Sequence, residues 1–233
     1  MFVKICGITN REDALAAVNA GASALGFIFF AGSPRHVTAA QLEPWISQIP
    51  PEIWKVGVFV DEEPELIERI GAQLQLDVAQ LHGSETPDRH PGLTVGRTPR
   101  SAADAPVGSP GLDEREYVND RRVRGNPRGP GGPPHKTGLR IWKAFRVKDA
   151  RTIVPDYPAA EAILIDGQAY DWSQTAHFTR PLILAGGLNE NNVRDRIERA
   201  NPWGVDVASG IESSPGRKDH ARMKKFIEAA LSS

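Results

Sequence analysis

Cysteine occurs once in 233 residues, which excludes an internal disulfide framework and any zinc site built on several thiolates. No apolar run approaches the roughly 18 residues that a membrane-spanning helix needs. Neither sign of charge prevails: 28 Lys and Arg stand against 29 Asp and Glu, and a net charge of -1 gives no overall drive toward nucleic acid or anionic membrane. The opening Met1-Phe2-Val3-Lys4-Ile5-Cys6 lacks the apolar stretch and small-residue cleavage site of a secretory leader, so a reducing cytoplasm is expected. What the chain has in quantity is punctuation, 22 Gly and 19 Pro, within an otherwise globular composition of 40% apolar and 24% charged residues.

Between the breakers a rhythm appears. Short apolar runs alternate with helical periodicity: Phe2-Cys6 then Arg11-Ala20, Ala24-Phe29 then Thr38-Gln48, Ile53-Val60 then Pro64-Ala72, and Asp77-Leu81 before a damaged helical slot. It resumes as Arg140-Phe145 then Lys148-Val154, Ala162-Asp166 then Trp172-Phe178, Leu182-Ala185 then Glu190-Ala200, and Gly204-Val207 then Lys218-Leu231. Gly21 suits a helix C-terminal cap, Thr38 and Asn189 suit N-caps, and Pro64 suits a first helical turn. Eight apolar strands joined by single helices predict a closed (βα)8 TIM barrel in one domain spanning 1-233, rather than an open doubly wound sheet. Chemistry in such a barrel belongs where strands end and βα loops begin.

Residues 94-138 interrupt the rhythm. Their 45 positions hold seven Pro and eight Gly, with seven Arg and one Lys against five acids. No amphipathic period survives, and the apolar content is too low to offset ordering entropy, so this is read as a disordered insertion between elements four and five. Closure entropy grows only logarithmically with loop length, so a barrel tolerates it. An Arg-rich nucleic-acid tether is the functional alternative, but Tyr117 is the segment's single aromatic.

The strand ends carry the candidates. Cys6 closes the first strand and is followed by Gly7; as a thiolate it would need an electropositive neighbour such as a Lys. Arg35, in Ser33-Pro34-Arg35 after the second strand, has the fork geometry for a planar carboxylate. His82 follows the fourth strand and is a ligand-facing hydrogen bonder or a structural imidazole. Asp166 ends the sixth, as a cap or as a catalytic acid raised by burial. Gly186-Gly187 and Ser209-Gly210 follow strands seven and eight, where barrels of this kind cradle phosphate on backbone N–H groups.

These motifs, Lys4-Ile5-Cys6-Gly7-Ile8, Gly26-Phe27-Ile28-Phe29 with Ser33-Pro34-Arg35, Gln80-Leu81-His82-Gly83, Lys143-Ala144-Phe145, Leu184-Ala185-Gly186-Gly187-Leu188 and Ser209-Gly210-Ile211-Glu212, resemble the phosphoribosylanthranilate isomerases of tryptophan biosynthesis. The resemblance covers the chain apart from the insertion. It implies an Amadori rearrangement of N-(5-phosphoribosyl)anthranilate without metal or cofactor, on a small phosphoribosyl substrate with no nucleic acid or membrane partner. Oligomeric state is left open. By resemblance Asp166 is the general acid and Cys6 the general base, Arg35 holds the anthranilate carboxylate, and His82 contacts substrate. The backbones of Gly186, Gly187, Ser209 and Gly210 hold the phosphate.

One departure stands out. The family carries a longer Gly-rich loop after the strand-six acid, whereas here Asp166-Gly167-Gln168-Ala169-Tyr170-Asp171-Trp172 leaves little between acid and helix. That shortening motivates a second reading, an impaired phosphosugar-binding barrel. A third, isomerisation of a histidine-pathway aminoaldose, is disfavoured because Cys6 stands where that chemistry places a carboxylate.

Overall fold

A computed structural model describes residues 1–86, 138–149, 154–155, 157–167, 170 and 179–233. Apart from Gly138, the insertion assigned to 94–138 lies outside the described residues. So do the helix expected over 172–178, the greater part of that over 148–154, and Gln168 and Ala169 of the shortened loop.

Eight strands form from the apolar runs: β1 Phe2–Cys6, β2 Ala24–Ile28, β3 Trp54–Phe59, β4 Val78–Leu81, β5 Arg140–Arg146, β6 Ala162–Asp166, β7 Leu182–Ala185 and β8 Gly204–Val207. All pair in parallel in chain order, and β8 returns to β1 through Phe2↔Gly204 and Lys4↔Asp206, closing the barrel. Across the long interval between them β4 and β5 are direct neighbours, Val78 opposite Arg140 and Leu81 opposite Lys143. Because successive side chains alternate in direction, each strand feeds two cores. Outward residues such as Val3, Ile5, Leu25, Phe27 and Ile163 join the large layer under the helices, while Val56, Val78, Trp142, Leu164 and Ile183 fill the interior.

Helices α1 Arg11–Ala20, α2 Ala39–Leu42, α3 Pro64–Leu74, α4 Val193–Ala200 and α5 His220–Leu231 cover the described outside. The expected caps form at three places. Gly21 takes the left-handed conformation at φ 99° after α1, Thr38 makes a capping box with Gln41, and Pro64 opens α3.

Three expectations are corrected. The helix over 38–48 is two pieces, α2 and a 3₁₀ turn at Ile46–Gln48, because Pro44 has no N–H and its ring opposes a continuing helical turn. Helix α4 starts at Val193, not at Glu190: Asn189 and Asn192 satisfy nearby backbone N–H groups and stitch a turn ahead of it (Asn191 N to Asn189 Oδ1, Asn189 N to Asn192 Oδ1, both 2.9 Å). Lys218 belongs to an antiparallel hairpin, β9 Glu212–Ser214 with β10 Arg217–Lys218, rather than to the last helix. That helix begins after Asp219, whose carboxylate caps the N–H groups of Ala221 and Arg222 at 3.0 Å.

Candidate active site

Parallel strands deliver their C-terminal ends to one mouth, and there a cavity of about 680 Å³ opens. Every candidate from the sequence lines it: Cys6, Arg35, His82, Asp166, Gly186, Gly187, Ser209 and Gly210.

Cys6 lies at the cavity floor, 5% exposed, pointing inward with Lys4 two residues before it on the same face of β1. Lys4 is fully buried and donates from Nζ to Asp206 Oδ1 at 2.9 Å. Burial pushes the Cys6 thiol up and Asp206 adds to the rise; Lys4 is the strongest opposing influence and Lys218 a weaker one, and together they leave the thiol above its ordinary value.

Arg35 does fork onto a carboxylate, but an internal one. Its Nε and Nη2 donate to Glu212 at 2.8 and 2.6 Å, and Glu212 also accepts from Lys218 Nζ at 2.8 Å. Burial alone would raise Glu212; hydrogen bonds from Arg35 and Lys218 bring it below the ordinary carboxylate range. The β9–β10 hairpin thus supplies both Glu212 and Lys218 to the loop that carries Arg35.

Asp166 ends β6 beside His82, whose Nε2 is 3.4 Å from Oδ2, with Arg146 Nε at 3.7 Å. At that separation the His82 contact falls short of a well-formed hydrogen bond. The sequence expectation of an acid raised by burial is reversed. His82, and after it Arg146, outweigh desolvation and hold the carboxyl below its usual range. The loop that follows His82 is held from behind: buried Lys143 donates to Gly83 O and to Glu85 Oε2, each at 2.7 Å. Glu85 in turn accepts from the N–H groups of Asp61 and Gly83, each at 2.8 Å.

The glycine loops after β7 and β8 are shaped for close backbone approach. Gly186 sits at φ 91°, and a Cβ there would lie 2.5 Å from Gly167 N and 2.8 Å from Asp166 Oδ1. At Gly210 a Cβ would run into the Leu188 carbonyl. The carbonyls of Gly187 and Gly210 are engaged by Asn192 Nδ2 and by Arg222 Nη2, and Arg222 also holds Glu212 O at 3.0 Å and Glu190 at 3.1 Å.

Sequence reasoning gave no site role to Lys4, Asp206, Glu212 or Lys218. A period-two reading would have found the first pair, since Lys4 shares a face with Cys6 and Asp206 interrupts an apolar strand. Nothing local links Glu212 to Arg35.

A family model for N-(5'-phosphoribosyl)anthranilate (PRA) isomerase matches residues 3–99 and 135–229. An N-(5'-phosphoribosyl)anthranilate isomerase of Geobacter sulfurreducens is 39% identical over 98% of this chain and 97% of its own length. One from Pseudomonas fluorescens is 38% identical over 97% and 96%. Among solved structures, a phosphoribosyl anthranilate isomerase in complex with reduced 1-(o-carboxyphenylamino)-1-deoxyribulose 5-phosphate superposes with a TM-score of 0.72 at 31% identity, covering both chains fully. Monomers of the dimeric Thermotoga maritima isomerase give 0.73 at 33%, also with full coverage of both. The family model leaves out 100–134, inside the Pro- and Gly-rich interval, and resumes ahead of β5, so sequence match and strand order agree around the barrel. The chain belongs to the phosphoribosylanthranilate isomerase family.

Proposed function

We infer that this chain isomerises N-(5'-phosphoribosyl)anthranilate to 1-(o-carboxyphenylamino)-1-deoxyribulose 5-phosphate, with Asp166 as general acid and Cys6 as general base. The observation that carries this reading is a thiol and a carboxylate, on strands β1 and β6, lining one cavity whose rim also holds Arg35 and the glycine loops.

The chemistry has two proton movements. A proton delivered to the furanose ring oxygen lets the C1–O bond break as the anilino nitrogen forms an iminium. Removal of the C2 proton then sends that electron pair into the C1–C2 bond and neutralises nitrogen, giving an enolamine that tautomerises to the ketose. Asp166 supplies the first proton. Its carboxylate is favoured while the site is open, so it must load a proton before it donates, and a covering ligand that excludes water raises it. Cys6 takes the second proton. The N–H groups around Gly186, Gly187, Ser209 and Gly210 receive the phosphate, His82 orients Asp166, and Arg35 receives the anthranilate carboxylate through Nη1, the nitrogen that Glu212 does not occupy. A working thiol also suits a reducing compartment, and we place the enzyme in the cytoplasm.

Steady-state turnover of N-(5'-phosphoribosyl)anthranilate tests the reading. Cys6→Ser and Asp166→Asn should each lower kcat by about 10²- to 10⁴-fold. Undiminished turnover in both variants would remove the acid–base pair.

A further inference from the structure

Beside the proposed base lies a buried ion pair that the proposed chemistry does not use. Lys4 has no exposed surface and its ammonium meets Asp206, 202 residues away in sequence, inside the closed barrel. A buried ion pair of this kind contributes little stability compared with a well-packed apolar pair of similar volume, so its retention calls for another reason.

Geometry supplies one. Lys4 lies directly opposite Asp206 in the β1–β8 register, and Cys6 lies opposite Gly26 in the β1–β2 register. A Cβ built on Gly26 would stand 2.8 Å from Cys6 Sγ and 3.1 Å from Lys4 Cε, so the sulfur and the end of the lysine share the notch that glycine leaves. Lys4 thus donates to the Asp206 carboxylate while the end of its side chain lies beside the Cys6 sulfur.

We propose that Lys4 is a positioning residue for the base: clamped by Asp206, its ammonium is the fixed counter-ion for the Cys6 sulfur in the thiolate form that removes the sugar C2 proton. The proposal rests on the reading of Cys6 as base. The S–H proton leaves to water through the open cavity, the thiolate then bonds the C2 proton, and the released electron pair passes to the iminium; no electron acceptor is needed. Lys4 stays charged throughout. Burial favours its neutral form, but Asp206 and then Cys6 more than offset this, so its proton is held more tightly than that of an ordinary lysine.

The other charges acting on the sulfur are Lys218 from β10 and Arg35 from the loop after β2, both engaged by Glu212, and Asp206 from β8, which opposes thiolate formation. Lys4 is the cation whose influence on the sulfur is greatest.

Because Cys6 is the single cysteine, thiolate ultraviolet absorbance and iodoacetamide alkylation of the intact protein report it alone. In Lys4→Met the thiol titration should move to higher pH by about one unit or more, a tenfold or greater loss of thiolate at neutral pH. The acid limb of kcat/KM should move with it, and kcat should fall about tenfold with KM little changed. Lys4→Arg should keep the titration close to that of the parent. Lys4→Met with Asp206→Asn removes the pair without orphaning a buried carboxylate; it should show a smaller shift of the same sign, and it decides the matter if Lys4→Met does not fold. A folded variant whose titration matches the parent overturns the proposal and makes Lys4 merely structural. A titration that moves while the kcat/KM limb stays fixed overturns the role of Cys6 as base instead, and with it the positioning role.

Discussion

At the N-terminal mouth the barrel is closed by rings, whereas at the C-terminal mouth the strand ends and the loops just after them bring glycines, a thiol, an imidazole and carboxylates around open space. Phe2 stacks on Trp203 at 4.3 Å and meets Trp54 and Trp142 edge-on at 5.6 and 5.8 Å, while the Arg140 guanidinium lies 4.5 Å over the Trp54 ring. This plug consumes three of the five tryptophans and carries none of the proposed chemistry. At the opposite mouth Gly186 and Gly210 leave no room for a side chain, and ionisable groups point at one another or into the cavity. The contrast separates two duties along each strand: apolar bulk stabilises one end, and polar groups held by buried ion pairs define the other.

The largest expected effect is at the polar mouth. Asp166→Asn should lose about 10²- to 10⁴-fold in kcat with little change in the denaturation midpoint, and a matching loss of stability would break the division. At the plug, Trp142→Ala removes a ring that is 1% exposed and should cost about 3–5 kcal/mol in denaturant unfolding, while the folded fraction keeps its kcat. Gly186→Ala, at a positive φ with no space for a Cβ, should cost about 1–3 kcal/mol and weaken phosphate-dependent binding by raising KM; unchanged KM would detach that loop from the ligand.

Acid titration sharpens the contrast through linkage. The folded values of Asp166 and Glu212 lie below their ordinary values of 3.8 and 4.5, so both stabilise the fold above those values and lose that contribution as pH falls through the lower, folded ones. Urea midpoints should therefore drop below about pH 4.5, and Glu212→Gln should flatten the drop. The smallest effect belongs to neither mouth: Thr38→Ala removes the capping box of α2 and should cost about 1 kcal/mol in the melt with kinetics untouched.

The strands were readable because each is an apolar run cut off by breakers, and the candidate site was readable because each residue follows directly on such a run. Cys6, His82 and Asp166 needed only position along a strand. What escaped depends on partners remote in sequence. Glu212 occupies two nitrogens of Arg35 from 177 residues away, and Lys143 fixes the His82 loop through Glu85 from 58 residues away. The lowered Asp166 likewise follows from His82 after β4 and Arg146 at the end of β5, which the strand order β4–β5–β6 brings beside it, a matter of topology rather than of local composition. The break at Pro44, the Asn189–Asn192 turn ahead of α4 and the β9–β10 hairpin were exceptions, local features that periodicity alone passed over.

The pairing of β1 with β8 has a consequence in time. The two strands meet only after nearly the whole chain has been made, and contacts between such distant segments are slow to form because closure entropy precedes any reward from packing. Until β8 docks, Lys4 has no carboxylate to face and must stay hydrated, so the first strand cannot settle into a dry interior early in folding. Recovery of turnover during refolding therefore reports the last join in the ring, and a chain truncated before Gly204 would leave its proposed base on a strand that lacks its closing neighbour.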